Sequence, residues 1–194
     1  MSATPDPIAR FQSVFERAKK SEPADPTNVT LATADAEGRP SARMVLLKQV
    51  DQRGFVFYTN RESRKALELA ANPHAALCFY WPSINQQVRV EGPVEPVSDE
   101  EADAYFATRT RGSQLGAWAS HQSRPLESRI ALVGGYLKYK ARFAGRPVPR
   151  PPYWGGYRLI PEQIEFWQHQ RSRLHDRTLY TRTDAGWNAQ RLYP

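Results

Sequence analysis

Apolar residues recur at Ile8, Phe11, Val14, Phe15 and Ala18, with Arg10, Arg17, Lys19 and Lys20 between or beside them. That spacing gathers the apolar positions on one face of a helix over 8–20, which Pro23 and Pro26 end. The period then shortens. VTLATAD (29–35) alternates, AEGRP (36–40) is a turn, SARMVLLKQVD (41–51) predicts one long strand, and FVFYT (55–59) another. ESRKALELAAN (62–72) returns to helical spacing through Ala66, Leu69 and Ala70 and closes at Asn72-Pro73. HAALCFYW (74–81) and QQVRVEGPVEPV (86–97) predict strands, the second bent at Gly92-Pro93. Ser98 ahead of Asp99, Glu100 and Glu101 starts a helix that runs to Thr108. A further helix, from Pro125 to Phe143, carries Ile130, Leu132, Val133 and Leu137. Beyond PVPRPP (147–152), strands are predicted at 153–160, 163–168, 177–183 and 187–194, the last two joined by the turn DAG (184–186).

Strands outnumber helices, and helices interrupt them irregularly. A doubly wound parallel sheet would alternate the two. The fold class is therefore mainly β, an antiparallel β-barrel with peripheral α-helices. Residues 1–7, with Pro5 and Pro7, are expected to be a loose N-terminus, and 8–194 a single domain in which 147–152 is a stiff connector. No apolar run approaches the roughly 20 residues that span a bilayer, so no membrane partner is expected. One cysteine, Cys78, excludes an internal disulfide and a multi-thiolate zinc site and suits a reducing cytoplasm.

The 194 residues carry 27 Lys+Arg against 20 Asp+Glu, a net charge of +7. Residues 1–104 hold 12 basic and 15 acidic side chains, a balance of −3, and residues 105–194 hold 15 and 5, a balance of +10. The excess is spread as single arginines among aromatics and not as a basic block. A polyanion surface and a few arginines holding small anions both fit that pattern. No stacking platform for nucleic acid is evident.

Absent motifs narrow the chemistry. No GxGxxG follows a strand, and neither GxxxxGK[ST] nor GxSxG occurs. His74, His121, His169 and His175 form no metal-spaced pair, so no metal site is expected. Cys78 lies inside an apolar strand and reads as a small hydrophobe, with no activating base nearby in sequence. What is present is a set of cations at strand ends and helix starts. Arg43 and Lys48 are an odd number of positions apart, so a regular strand puts them on opposite faces; either they serve different groups, or the strand bends between them, or they are two solvated edge charges. In TNRESRKA (59–66) a strand end meets a helix start bearing Arg64 and Lys65. Cations there oppose the helix dipole. A phosphate held by backbone N–H groups and both side chains would account for them, as would ordinary helix-surface charge. TRTRGSQLGAWASHQS (108–123) sets Arg109, Arg111, Ser113, Gln122 and Ser123 around a glycine-containing bend, donors suited to a phosphate or a polar ring edge. In FWQHQRSRLHDR (166–177), Arg173, His175 and Arg177 alternate, and an extended chain would point all three to one side. That asks for an anionic or electron-rich partner, or for balance by Glu165 and Asp176. The residues together ask for a ligand with phosphate and planar-ring character, or two such ligands.

RMVLLK (43–48), FYTNRESRKA (57–66), QVRVEG (87–92), SQLGAWAS (113–120) with the HQS that follows, YWGGYRL (153–159), IEFWQ (164–168) and RLHDR (173–177) resemble the pyridoxine/pyridoxamine 5′-phosphate oxidases, in order, over residues 8–194. The resemblance implies an FMN-binding split barrel acting as a homodimer with FMN sites at the subunit interface. It implies FMN contacts from Arg43, Met44, Val45, Leu46, Leu47, Lys48, Tyr58, Thr59, Arg64, Lys65, Gln87, Gln122, Ser123, Trp167 and Arg177. Lys48, Tyr105, Arg109 and Ser113 would hold the substrate phosphate, and Arg173, Leu174 and His175 would lie over the pyridine ring, Arg173 and His175 as catalytic residues. The implied reaction oxidises pyridoxamine or pyridoxine 5′-phosphate to pyridoxal 5′-phosphate with O2 as acceptor, releasing hydrogen peroxide, and ammonia from the amine. Related split-barrel flavin oxidases act on other aromatic substrates, as in phenazine synthesis. Two departures are expected to matter. Family members usually have a glycine soon after the Trp-Gln pair, where this chain has His169 and Gln170. Many also carry an N-terminal segment over the substrate, which this chain is expected to lack.

Overall fold

The computed structural model describes residues 6–194. Helix α1 (Pro7–Ser21) begins where the Asp6 carboxylate accepts the Ile8 N–H at 2.9 Å, with Pro7 in the first turn, where its missing N–H costs nothing. The face predicted from its spacing is the buried one: Ile8, Phe11, Val14, Phe15 and Ala18. Of the N-terminus expected to be loose, residues 1–5 lie outside the described residues, and Asp6 and Pro7 form the helix start.

The strands are β1 (Asn28–Ala34), β2 (Pro40–Leu46), β3 (Gln49–Asp51), β4 (Gly54–Asn60), β5 (His74–Trp81), β6 (Gln86–Pro96), β7 (Trp154–Leu159), β8 (Gln163–Gln168), β9 (Asp176–Thr183) and β10 (Gly186–Leu192). All pairings are antiparallel. One path runs β10-β9-β8-β6-β5-β1-β2, while β7, β4 and β3 branch from β6. The junction is therefore β6. Its residues Gln86–Glu91 pair with β8, and Val94–Pro96 pair with β7. The predicted bend at Gly92-Pro93 is this change of partner. A Cβ on Gly92 would sit 2.0 Å from the Ile160 carbonyl oxygen, so only glycine allows the approach. The result is a curled half-barrel with helices outside it. α1 plugs its open side: Phe11 meets Phe55 at 4.8 Å and Phe79 at 5.0 Å between ring centroids. Burying each such ring stabilises the fold by roughly 1.5–3 kcal/mol.

Helix α2 (Arg64–Ala71) follows β4. Helices α3 (Asp99–Thr108), α4 (Arg111–Ala119) and α5 (Arg129–Arg142) lie between β6 and β7. Phe106, Leu115, Phe143, Val148 and Trp154 form the core of this helical layer.

Three expectations change. The strand predicted over 41–51 is two strands. At the break the chain swaps neighbours: Leu47 N–H donates to Thr27 at 2.9 Å and Lys48 N–H to Val56 at 2.8 Å. Residues 111–119 form helix α4 where a bend was expected, because the Thr110 hydroxyl caps the Ser113 N–H and Leu115 is buried beneath it. The helix predicted from Pro125 starts at Arg129, capped by Ser128, and buries none of its residues. Ile130 is 84% exposed.

Candidate active site

A cleft of about 1140 Å³ opens between β2, the end of β4, and the helices α2, α3 and α4. Of the residues expected at an FMN or substrate site, Arg43, Met44, Val45, Leu46, Lys48, Tyr58, Thr59, Arg64, Lys65, Tyr105, Arg109, Ser113, Gln122 and Ser123 line it. The break after β2 is what brings Arg43 and Lys48 to one cleft despite their odd spacing. Leu47 turns the other way, 3% exposed in the barrel core. Ser123 holds a left-handed backbone, φ 72°.

One cationic group of the cleft is built at the β4–α2 junction. The side chain of Lys65 is buried, and its Nζ donates to Thr59 at 3.2 Å, Ser63 at 3.2 Å and Gln122 at 3.4 Å. Burial, reinforced by the nearby Arg43 charge and only partly opposed by Glu68, pushes its pKa down to about 8. Ser63 caps α2 without a side-chain bond, and the Arg64 and Lys65 N–H groups have no hydrogen-bond partner among the described residues. Neutral acceptors around a buried ammonium leave room for an anion.

The second group stands on α3 and α4. Arg109 lies 4.8 Å from the Trp154 ring centroid, and its Nη1 is buried with no hydrogen-bond partner among the described residues. Burial pushes its pKa downward. An orphaned guanidinium N–H costs free energy that a bound oxyanion would recover. Tyr105 stacks on Tyr58 at 4.0 Å, and Tyr58 on Trp154 at 5.4 Å. Burial raises Tyr58 to about 12 and moves Tyr105 up as well, so both remain neutral donors. These features fit FMN and a second phosphate-bearing ligand: the volume exceeds the ~300–1,000 Å³ usual for one small molecule, and neither Lys65 nor Arg109 is ion-paired with a carboxylate among the described residues.

The remaining expected residues lie elsewhere. Gln87, Trp167 and Arg177 are opposite one another across β6, β8 and β9 and so share one face of the sheet. Arg177 donates through Nε to Glu165 at 2.7 Å. Arg173, His175 and Arg177 do not converge as an extended chain would have them. Arg173 ends a 3-10 turn, Arg171–Arg173, with φ 56° at Ser172 and 61° at Arg173. Arg173 has no hydrogen-bond partner among the described residues; Leu174 is 70% exposed. His175 lies 4.6 Å from Trp167, ring to ring, and its Nδ1 accepts the Gln170 N–H at 3.2 Å. Burial and the neighbouring His169 and Arg173 shift His175 downward. His169 and Gln170, in the stretch where a glycine was expected, are free of positive φ; the left-handed residues come later, at Ser172 and Arg173. None of Gln87, Trp167, Arg173, Leu174, His175 and Arg177 lines the cleft of the same chain.

Among the residues that shape the cleft without having been marked in the sequence are Trp154, in its lining, and Glu68, behind it. Trp154 lines it and holds the stack; the signal was the Gly155-Gly156 pair within a strand, since a Cβ on Gly156 would lie 2.7 Å from the Tyr58 ring. Glu68 stands behind Arg43 and Arg64, and nothing in the sequence marks it. Cys78 is half-buried, with burial raising its thiol pKa, as an inert cysteine would have it. Among the described residues no three His, Cys, Asp or Glu are placed to hold a metal ion, and no helix is long and apolar enough to cross a membrane.

The curled antiparallel half-barrel with peripheral helices is that of the FMN-binding split-barrel proteins. A solved structure described as a pyridoxamine 5′-phosphate oxidase-related, FMN binding protein, from Nostoc punctiforme PCC 73102, superposes with a TM-score of 0.78 at 20% identity, covering 100% of both chains. The family model for pyridoxamine 5′-phosphate oxidase matches residues 15–138, and that for the pyridoxine 5′-phosphate oxidase C-terminal dimerisation region matches 154–194. A pyridoxine/pyridoxamine 5′-phosphate oxidase of Myxococcus xanthus strain DK1622 is 60% identical over 190 residues, 98% of this chain and 92% of that one. PhzG from Burkholderia lata 383, solved in complex with tetrahydrophenazine-1-carboxylic acid, is 33% identical with a TM-score of 0.93, covering 100% of this chain and 95% of that one. The chain belongs to the pyridoxamine 5′-phosphate oxidase family and is an oxidoreductase of that family.

Proposed function

We propose that this chain oxidises pyridoxamine and pyridoxine 5′-phosphate to pyridoxal 5′-phosphate as an FMN-dependent homodimer. The observation that carries the reading is one cleft with two cationic groups, around Lys65 and around Arg109, in which neither the Lys65 ammonium nor the Arg109 guanidinium is ion-paired with a carboxylate among the described residues. Arg64, Lys65, Thr59 and Gln122 hold the flavin phosphate at the start of α2. Lys48, Tyr105, Arg109 and Ser113 hold the substrate phosphate. Bound FMN supplies two-electron oxidation at the substrate C4′ carbon with O2 as final acceptor, releasing hydrogen peroxide, and ammonia from the amine. Arg173 and His175 orient the pyridine ring and balance charge at C4′. Because they lie off the cleft of their own chain, they serve the partner's cleft, as Gln87, Trp167 and Arg177 do. The dimerisation region matched at 154–194 supports that arrangement.

The likeness to PhzG favours a second reading, oxidation of a phenazine-type aromatic. Both predict a yellow protein. Its absorbance spectrum before and after pyridoxamine 5′-phosphate is added in air separates them. Formation of a pyridoxal phosphate band while the flavin returns to its oxidised spectrum supports the first reading. Bound flavin with no turnover of either B6 phosphate supports the second, and a protein that takes up no flavin contradicts both.

A further inference from the structure

We propose that Glu68 is a positioning residue for the flavin phosphate, tethering Arg64 and Arg43 behind the cleft wall so that Arg64 meets the phosphate already oriented. The inference rests on the reading of the cleft as an FMN site. Glu68 is 6% exposed, rare for a carboxylate unless it is paired. Both its oxygens are occupied. Oε1 accepts Arg64 Nε at 2.8 Å, and Oε2 accepts Arg43 at 3.1 Å, Ser41 at 2.6 Å and Thr33 at 2.5 Å. Arg43 closes the network by donating to Thr33 and Ser41 as well. Burial alone would raise the carboxyl; the bonds from Ser41, Thr33, Arg64 and Arg43 hold it down at about 2, so it is a fixed anion.

Packing explains Arg43 but not Arg64, whose side chain is 66% exposed. Arg64 is the first residue of α2, where a cation opposes the helix dipole. A tether one helical turn away keeps it there. The tether uses Nε alone, so both Nη groups are without a partner among the described residues, in a side chain that lines the cleft. A guanidinium held by one edge presents the other as a ready fork for a phosphate, at a lower ordering cost than a free side chain.

The test is a flavin titration of the apoprotein by fluorescence quenching, with FMN and with riboflavin, which lacks the phosphate. Wild type should prefer FMN. Glu68→Gln should weaken FMN binding roughly ten- to a hundredfold, the scale of a charge-assisted hydrogen bond, and leave riboflavin binding unchanged. If FMN and riboflavin weaken together, or neither changes, Glu68 is structural and the proposal is overturned. Should Glu68→Gln fail to fold, Arg64→Lys, at an exposed side chain, keeps the charge without the fork. It should lose most of the FMN preference, and full retention overturns the proposal. A wild type that binds both flavins equally, or neither, overturns it one level down, by removing the phosphate site itself.

Discussion

Lys65 ties the chemistry of the cleft to pH. Its free-state pKa is held down to about 8 by burial. An anion beside the ammonium favours the charged form and raises that value, so binding takes up a proton between the free and bound pKa values. FMN affinity should accordingly change little between about pH 7 and 8, above the phosphate's own second pKa of about 6, and fall up to tenfold per pH unit from about pH 8 to the bound-state pKa. Calorimetric titrations in buffers of different ionisation heat would show proton uptake near pH 8.5; none at that pH contradicts the assignment. Arg173→Ala should abolish most turnover while the protein stays yellow, and loss of the flavin together with the activity contradicts a role on the substrate ring. Arg109→Ala should raise KM for the phosphate substrate about 10- to 100-fold, the worth of a charge-assisted contact of roughly 1.5–3 kcal/mol. An unchanged KM places the substrate elsewhere. Most of these cations were legible in sequence because they sit beside strand ends and helix starts. Glu68 was not, since ELAAN reads as an ordinary amphipathic turn until Thr33, Ser41 and Arg43 are folded against it.

At the scale of elements, β6 is the piece on which the sheet hangs, and Gly92 is its tightest point. Gly92→Ala must displace the Ile160 carbonyl. It should cost about 3 kcal/mol, a fall in Tm of roughly 6–12 °C for a chain of this size by calorimetry. Less than 2 °C would mean that the strand bends without that contact. The turn before β9 offers the opposite sign. Ser172, at φ 56°, carries strain that glycine would relieve, so Ser172→Gly should leave Tm unchanged or slightly higher. The main strands and α1, α2 and α3 were visible as changes of period. The split of 41–51 was not, because Leu47 and Lys48 change neighbours without a proline or glycine to mark it. α4 was missed because Gly112 and Gly116 each lower local helix preference by roughly 1 kcal/mol, which the Thr110 cap and the burial of Leu115 outweigh.

For the whole molecule, the separation between the cleft and the Arg173–His175 turn has a genetic consequence. If each site takes Arg109 from one subunit and Arg173 from the other, Arg109→Ala and Arg173→Ala chains assayed well below the raised KM each keep only a small fraction of wild-type activity alone. Their mixed dimer carries one doubly damaged and one intact site. Random mixing should therefore restore about a quarter of wild-type activity, by the symmetry of a two-fold dimer. No restoration would place both residues in a single chain's site. Spacing and periodicity could not point to such a division, because residues far from each other within one chain look the same, in sequence, as residues meeting across two; only the family resemblance, which implies FMN sites at the subunit interface, pointed to it.

The shared strand β6 adds a constraint on change. One of its ends aligns the row Gln87, Trp167 and Arg177, and the other anchors β7, which carries Trp154 beneath the Tyr58 stack. A one-residue slip of β6 would turn both sets to the wrong side at once. An insertion or deletion within 86–96 therefore cannot be absorbed by the pairing with β8 or with β7 alone. Divergence in this strand should proceed by replacement of side chains at constant length, whatever happens to the loops around it.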